Sequence, residues 1–386
     1  MNSKTNKSGK GIMKSRLLSL DALRGFDMLW IIGGGALITQ LAEVSSAGWL
    51  KALAVQMTHV RWEGFHFYDL IFPLFMFIAG IAIPLSVMSA KSRNIPRKKL
   101  AIKALRRMLI LILLGILYNG VFRDGFQNAR YASVLGQIGI AYFFASLIII
   151  FSDSLKTSLY WLAGILAGVS VIQLFVPVPG FGAGVFTPEG CINGYIDRLY
   201  LPGRLAYGPE GMLGPGEHGI YDALGLLSIV SAIGITIMGT VAGRIVQSTR
   251  LTEYRKTGIL AVTGLVLIVC GLALSPVYPV IKVCWTTSYN FLAGGISFML
   301  FALFYLIIDV WHLQKWSFFF RVIGMNSIFI YLLVRIISVG AVAGYVFGWI
   351  MIPAGEWGEV VRAVGVLTLE WLLLYFMYRK GIFIKV

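Results

Sequence analysis

Apolar stretches of about twenty residues recur along the whole chain, and a run of that length crosses the hydrocarbon core of a bilayer as one helix. Ten such spans are read from the sequence. They run approximately Leu17–Leu41, Phe65–Ser89, Ala101–Phe122, Ala132–Phe151, Leu159–Val176, Tyr221–Ile245, Gly258–Leu274, Tyr289–Val310, Val322–Val342 and Val360–Tyr378. Lipid offers no partner for backbone N–H and C=O groups, so only helices and closed barrels cross it. These runs are far too long for the tilted strands of a barrel, which take roughly ten residues each. The composition agrees: 58% of residues are hydrophobic, only 13% are charged and the mean hydropathy is +0.81. A soluble domain carries about 25% charge. The expected fold is an all-α polytopic membrane protein, a bundle of about ten transmembrane helices with one long outer loop.

The net charge of +16 would suggest nucleic acid in a soluble chain. Here lysine and arginine collect in alternate connections, as cytoplasmic loops do, and no nucleic-acid partner is expected. With the N-terminus in the cytoplasm, the inner segments hold "KSRNIPRKKLAIKALRR", "RIVQSTRLTEYRK", "HLQKWSFFFR" and "YRKGIFIKV". Arg61, Arg123, Arg130, Arg198, Arg204 and Lys282 are most of the basic residues left outside. This orientation puts both termini in the cytoplasm and His59 outside, in an inner (cytoplasmic) membrane. Residues 1–15 read as a disordered basic leader with no cleavable signal, and 16–386 as a single transmembrane domain. Residues 177–220 form a Gly- and Pro-rich outer connection, and a loop that long is usually functional or disordered. Tyr195, Tyr200 and Tyr207 give it surface to bury, so an ordered cap is expected. Cys191, Cys270 and Cys284 have no metal-ligand spacing, and their odd number leaves at least one unpaired within the chain.

The densest polar cluster is "THVRWEGFHFYDLIFPLFMFIAG", from Thr58 to Gly80. It carries His59, Arg61, Glu63, His66 and Asp69 at the mouth of a span. Ionisable groups are costly in hydrocarbon and so face a cavity or a partner. Asp69 falls in an early helical turn, where the positive helix end favours a carboxylate. Pro73 has no N–H and frees a carbonyl toward the interior. The first span adds Asp21, Arg24 and Asp27; the first two are one turn apart and suited to pairing, while Asp27 is deeper. Asn326 and Ser327 suit hydrogen bonding between helices, and Glu370 in the last span has no obvious partner. On these residues alone three classes remain: an enzyme with a buried polar site reached from outside, a proton- or anion-coupled solute transporter, and a structural subunit. A histidine serves the first as a proton acceptor and the second as a relay.

The stretches "SLDALRG" and "THVRWEGFHFYDLIFPLFMFIAG" resemble the membrane acetyltransferases related to heparan-α-glucosaminide N-acetyltransferase. The likeness continues in order through "FVPVPG", "GYIDRLYL", "YGPEGMLG", "WTTSYNFLAGGISFMLFALFYLIIDV", "GMNSIFIYL" and "YRKGIFIKV". It covers nearly everything from Arg16 to Val386, and "LDALRGFDMLWIIGGG" is similar to the bacterial branch. The resemblance implies transfer of an acetyl group from cytosolic acetyl-CoA to a glucosamine-type amine on the far side of the membrane. His59 takes the position of the active histidine and Asp69 that of its electrostatic support. Trp62 and Gly64 would shape the mouth. The loop motif carries onto Tyr195, Asp197 and Arg198, and "GMNS" onto Asn326 and Ser327. The relatives also suggest a homodimer.

Two departures bear on the site. Family members often have an asparagine before the glycines of the first span; here "WIIGGG" supplies isoleucines, and Asp27 is the candidate for that polar contact. Lysosomal members have a cysteine after "VPVPG"; here it is Phe181, which leaves Cys191 without that partner. On the same reading Trp62, Tyr195, Tyr207 and Trp285 are candidates to stack on a sugar ring, with Asp197, Glu210 and Glu217 to bond its hydroxyls or ammonium. Arg24, Arg106, Arg107, Arg244 and Lys256 are candidates for the phosphates of acetyl-CoA, whose pantetheine arm would thread the bundle interior. O-acetylation is the related chemistry, and no metal is expected.

Overall fold

The computed structural model describes residues 17–214 and 217–384; the basic leader lies outside the described residues. Among the described residues eight helices are long and apolar enough to cross a membrane: Leu18–Val44, Phe67–Lys91, Val134–Phe151, Leu155–Phe175, Leu226–Gln247, Glu253–Leu274, Thr287–Val310 and Gly355–Arg379. The chain is an all-α, multi-pass membrane protein. Two of the ten expected spans differ, each for a local reason. The third lies in the 22-residue helix Arg97–Tyr118, which is long enough to cross, but its first half carries Arg97, Lys98, Lys99, Lys103, Arg106 and Arg107. The ninth is not one helix: Phe318–Met325 and Ser327–Ile336 meet at Asn326 with a bend of 70°. A separate apolar helix, Val339–Met351, follows it.

The helices run between two chemically different ends. At one, Lys91 Nζ donates to Asp153 Oδ1 at 2.6 Å, and Arg244 donates to the carbonyls of Asp153 (2.6 Å) and Ser152 (2.8 Å). At the other lie His59, Arg130, Lys282 and the 177–225 connection. That connection holds the helix Ile192–Tyr200 and a two-stranded antiparallel hairpin pairing Tyr207–Gly208 with Gly211–Met212. The Arg97–Tyr118 helix joins the two ends: it starts just past Lys91, and Asn119 at its far end donates to the carbonyls of Arg130 and Ala132.

Glycine sets the core. The Phe67–Lys91 and Leu226–Gln247 helices approach so closely that a Cβ on Gly80 would lie 2.1 Å from the Thr236 carbonyl oxygen. A Cβ on Gly239 would meet the Phe77 oxygen at 2.1 Å. Small residues let membrane helices gain van der Waals contact where lipid supplies no hydrophobic drive between them. Around this seam Met76, Phe77, Phe298 and Phe301 are fully buried. The first span is interrupted at Trp30–Gly34 by a π-turn with Gly33 at φ 154. There a side chain would be strained and would press on Leu367.

Candidate active site

The Phe67–Lys91 helix begins with a capping arrangement that also builds the site. His66 is the N-cap, and Asp69, three residues on, turns its carboxylate back over the helix start. Asp69 Oδ2 accepts the backbone N–H groups of His66 (3.1 Å) and Val60 (3.2 Å). Its Oδ1 lies 2.8 Å from His59 Nδ1 and accepts from Lys282 Nζ at 3.1 Å. Four donor groups thus converge on a carboxylate that is 1% exposed. Pro73, four residues further on, leaves the Asp69 carbonyl without its helical partner, and the Tyr289 hydroxyl donates to it at 2.9 Å. The carboxylate is fixed through both its side chain and its backbone.

His59 is held from one side only. Nδ1 faces Asp69, the ring tilts against Tyr68 with centroids 4.9 Å apart, and the side chain is 55% exposed. Lys282 Nζ also stands 2.9 Å from Nδ1. The two contacts exclude each other at a single nitrogen: protonated Nδ1 donates to Asp69, whereas bare Nδ1 accepts from the Lys282 ammonium. Lys282 reaches the site through a bridge between Glu63 and Ile281, in which the Gly64 N–H donates to the Val280 carbonyl at 2.9 Å. Burial pulls the Lys282 ammonium below its ordinary range, with the Asp69 charge acting in the opposite direction.

These groups stand at the mouth of a cavity of about 490 Å³. Its rim is polar, with His59, Arg61, Arg130, Tyr207 and Lys282; its depth is apolar, with Met28, Ile31, Phe75, Ile138 and Ile328. Arg130 makes a bidentate pair with Asp222 (2.8 and 2.7 Å). Burial opposes the Arg130 charge, but Asp222 outweighs it and raises the guanidinium's pKa. The lining goes no nearer to Lys91 on its helix than Phe75. Beyond it Leu23, Leu74, Phe77, Phe298 and Phe301 are packed and buried. This cavity therefore ends short of the Lys91 end, with packed side chains beyond its floor.

The other expected site residues divide by position. Trp285 lines the cavity, 1% exposed, edge-on to Phe72 and Tyr289, at φ 48, a backbone region that bulky residues rarely adopt. Glu210 pairs with Arg61 on the rim. Trp62 turns away, donating from Nε1 to the Phe186 carbonyl at 2.6 Å with its ring against Tyr221. Gly64 serves the bridge to Val280 at φ 123. Tyr195 packs with Val169, Val178 and Leu227. Asp197 accepts the N–H groups of Asp222 (3.3 Å) and Leu226 (2.9 Å), and Arg198 donates to the Ile220 carbonyl at 2.7 Å. These three hold the cap together and are not in the cavity lining. Glu217 accepts from the Gly214 N–H within the same connection. Burial raises the Asp197 carboxyl to about 7 against its two backbone donors, and the Asp222 charge adds to the rise.

Asn326 sits at the 70° bend, where it donates to the Ile382 carbonyl and accepts the Ile384 N–H. Ser327 is buried beside it, one residue before Ile328 of the cavity. Asp27 is fully buried, one turn before Ile31, and neither carboxylate oxygen has a hydrogen-bond partner among the described residues. The basic candidates lie outside the cavity lining. Arg24 contacts Asp21 at 3.5 Å, Arg107 stacks on Tyr142 at 4.1 Å, Lys256 donates to Glu253 and Arg106 is exposed. Arg244 is the one already tied to the Ser152 and Asp153 carbonyls.

Sequence reading alone passes over Lys282 and Arg130 as site residues. Lys282 is 213 positions from Asp69 and Arg130 is 92 from Asp222, so no local spacing joins them. The one signal is a cation on the side that the charge pattern otherwise leaves poor in them.

Residues 16–175 match a family model described as a domain of unknown function (DUF5009). The chain is 28% identical to mouse (Mus musculus) heparan-alpha-glucosaminide N-acetyltransferase across 85% of its own length and 56% of the relative's. To the human (Homo sapiens) protein of the same name it is 27% identical, across 96% and 60%. The chain is a distant relative of these proteins. It spans less than two thirds of the length of either.

Proposed function

We propose that the protein is a membrane acetyltransferase that moves an acetyl group from acetyl-CoA to the amine of a glucosamine-type acceptor, with His59 as its proton-transfer group. The observation that carries this reading is the exposed His59 imidazole, oriented by buried Asp69 and flanked by half-buried Lys282 over the mouth of a cavity. The names of the two relatives agree with it. With Nδ1–H donated to Asp69, Nε2 is free to accept a proton from the acceptor amine as its nitrogen adds to the acyl carbonyl. The resulting imidazolium stands beside the Lys282 ammonium. That repulsion favours passing the proton on to the departing thiolate. Acetyl-CoA supplies the activated acyl carbon, and the apolar depth from Phe75 to Ile328 fits the thin thioester end of its arm. On this reading Arg130 and Tyr207 hold a sugar at the rim, with buried Trp285 shaping the wall beneath it. Transfer through an acetyl-imidazole uses the same geometry in two steps.

The orientation belongs to the same proposal. The Lys91 end, with its excess of lysine and arginine, faces the cytoplasm, and the His59 end faces outward across an inner membrane. The test is transfer of labelled acetyl from acetyl-CoA to glucosamine by the purified protein. His59→Ala should lower the rate by about 10²–10⁴-fold with an unchanged elution profile and melting temperature. Full transfer by the variant refutes the role of His59, and no transfer by the wild type refutes the reading.

One observation favours a second reading, a proton-coupled transporter: the fully buried Asp27 carboxylate in the first span, without a hydrogen-bond partner among the described residues. Intramembrane carboxylates often mark ion pathways. On that reading vesicles containing the protein accumulate solute without acetyl-CoA, and Asp27→Asn stops uptake.

A further inference from the structure

Cys191 and Cys284 are 1% and 0% exposed and belong to one small buried cluster with Ile281, against Trp62, Phe186 and Val283. Their side chains pack within that one cluster, and the Cys191 thiol donates to the Pro188 carbonyl at 3.7 Å. Cys191 caps the helix Ile192–Tyr200, its Sγ accepting the Gly194 N–H at 3.4 Å. The same helix holds Cys284 in place: Asn193 Nδ2 donates to the Cys284 carbonyl at 3.1 Å, joined there by Gln173 Nε2 at 2.7 Å. Both backbones are thus pinned to one frame before any bond forms between the sulfurs. The third cysteine, Cys270, is exposed on the Glu253–Leu274 helix and takes no part.

We propose that Cys191 and Cys284 form a disulfide that staples the 177–225 cap to the segment carrying Lys282. The proposal rests on the orientation given above, which puts both residues on the outer face, where disulfides persist. It does not depend on the chemistry at His59. The neighbouring Cys284 thiol lowers the Cys191 thiol, while Cys191 and burial raise Cys284, so Cys191 is the attacking group. Its thiolate attacks one sulfur of a small disulfide oxidant, and the other sulfur departs as a thiol. The Cys284 thiolate then displaces the second. Two protein thiols lose two protons and two electrons, and the oxidant becomes two thiols. Because both sulfurs are buried, this exchange belongs to the stage before the cap closes. On the folded, reduced protein it is slow. Cys284 is two residues from Lys282, so the bond constrains the segment that sets the ammonium against Asp69.

The experiment is peptide mapping of protein isolated without reductant and denatured in an alkylating agent. The expected result is one linked peptide containing Cys191 and Cys284, which is lost on reduction, with Cys270 alkylated throughout. Reduction should also lower the melting temperature of the wild type by several degrees and leave that of C191S/C284S unchanged. Alkylation of both cysteines in the unreduced protein overturns the staple, whichever way the protein lies. Orientation is read separately by impermeant thiol labelling of Tyr200→Cys, a residue 72% exposed on the cap helix. Outside labelling with free Cys191 and Cys284 refutes the disulfide alone. Labelling only from the cytoplasmic side refutes the orientation.

Discussion

Asp69 satisfies two backbone N–H groups, an imidazole and an ammonium from a buried position, so removing any one donor changes what the others do. Lys282→Met leaves the carboxylate facing the imidazole alone. The imidazole is then held more firmly once protonated, and release of the proton slows. The expected result is about a tenfold or greater fall in kcat with little change in KM for the acceptor, and partial recovery in Lys282→Arg, which keeps the charge. Equal rates in Lys282→Met and wild type count against a role in proton transfer. Asp197 gives a different pH signature. Its folded-state value of about 7 lies above that of an ordinary carboxyl, so between about pH 4 and 7 the folded protein binds the extra proton and the unfolded chain does not. Stability from this group is therefore full below about pH 4 and declines as pH rises to about 7, after which its contribution is flat. Melting temperatures across pH 4–8 should show that decline in the wild type and lose it in Asp197→Asn. Parallel curves for the two proteins contradict the assignment.

The helices were legible in the sequence wherever length and apolarity sufficed, since lipid admits only fully hydrogen-bonded backbone. The bend at Asn326 was not, because the Asn326 side chain there bonds to the tail, donating to the Ile382 carbonyl and accepting the Ile384 N–H. His59 and Asp69 were legible because they lie on one short connection and stand out against an apolar run. Lys282 was not, because it arrives only through the Glu63–Ile281 bridge between distant segments. Tyr195, Asp197 and Arg198 carried the polar look of a binding motif, yet the structure uses their groups to hold the cap. The seam between the Phe67–Lys91 and Leu226–Gln247 helices tests the packing argument at this scale. A Cβ on Gly80 meets backbone, which does not move aside as a flexible side chain does. Gly80→Ala should destabilise by about 1–3 kcal/mol or more, read as a lower melting temperature in detergent. Gly340→Ala, with open space around it, should change it little.

Across the whole molecule the polar groups gather at two ends, and the cavity belongs to one of them. Its apolar depth stops at Phe75, Ile138 and Ile328, and packed aromatic residues separate it from the Lys91 end. A donor entering from that end therefore binds a state in which these residues have moved, and part of its binding free energy goes into the rearrangement. Net stabilisation must still be positive if the ligand binds only folded protein: at a hundred times its dissociation constant it amounts to about 2.7 kcal/mol. Acetyl-CoA should accordingly raise the melting temperature of the wild type. It should raise that of His59→Ala by nearly as much, because His59 acts on the proton rather than on the bulk of the donor. In sealed vesicles, transfer to an acceptor on the His59 side should require acetyl-CoA on the Lys91 side. Transfer with donor and acceptor both confined to the His59 side would mean that the packed floor never opens and that the cavity takes both substrates from one face. No thermal shift at saturating acetyl-CoA would remove the acetyltransferase reading altogether.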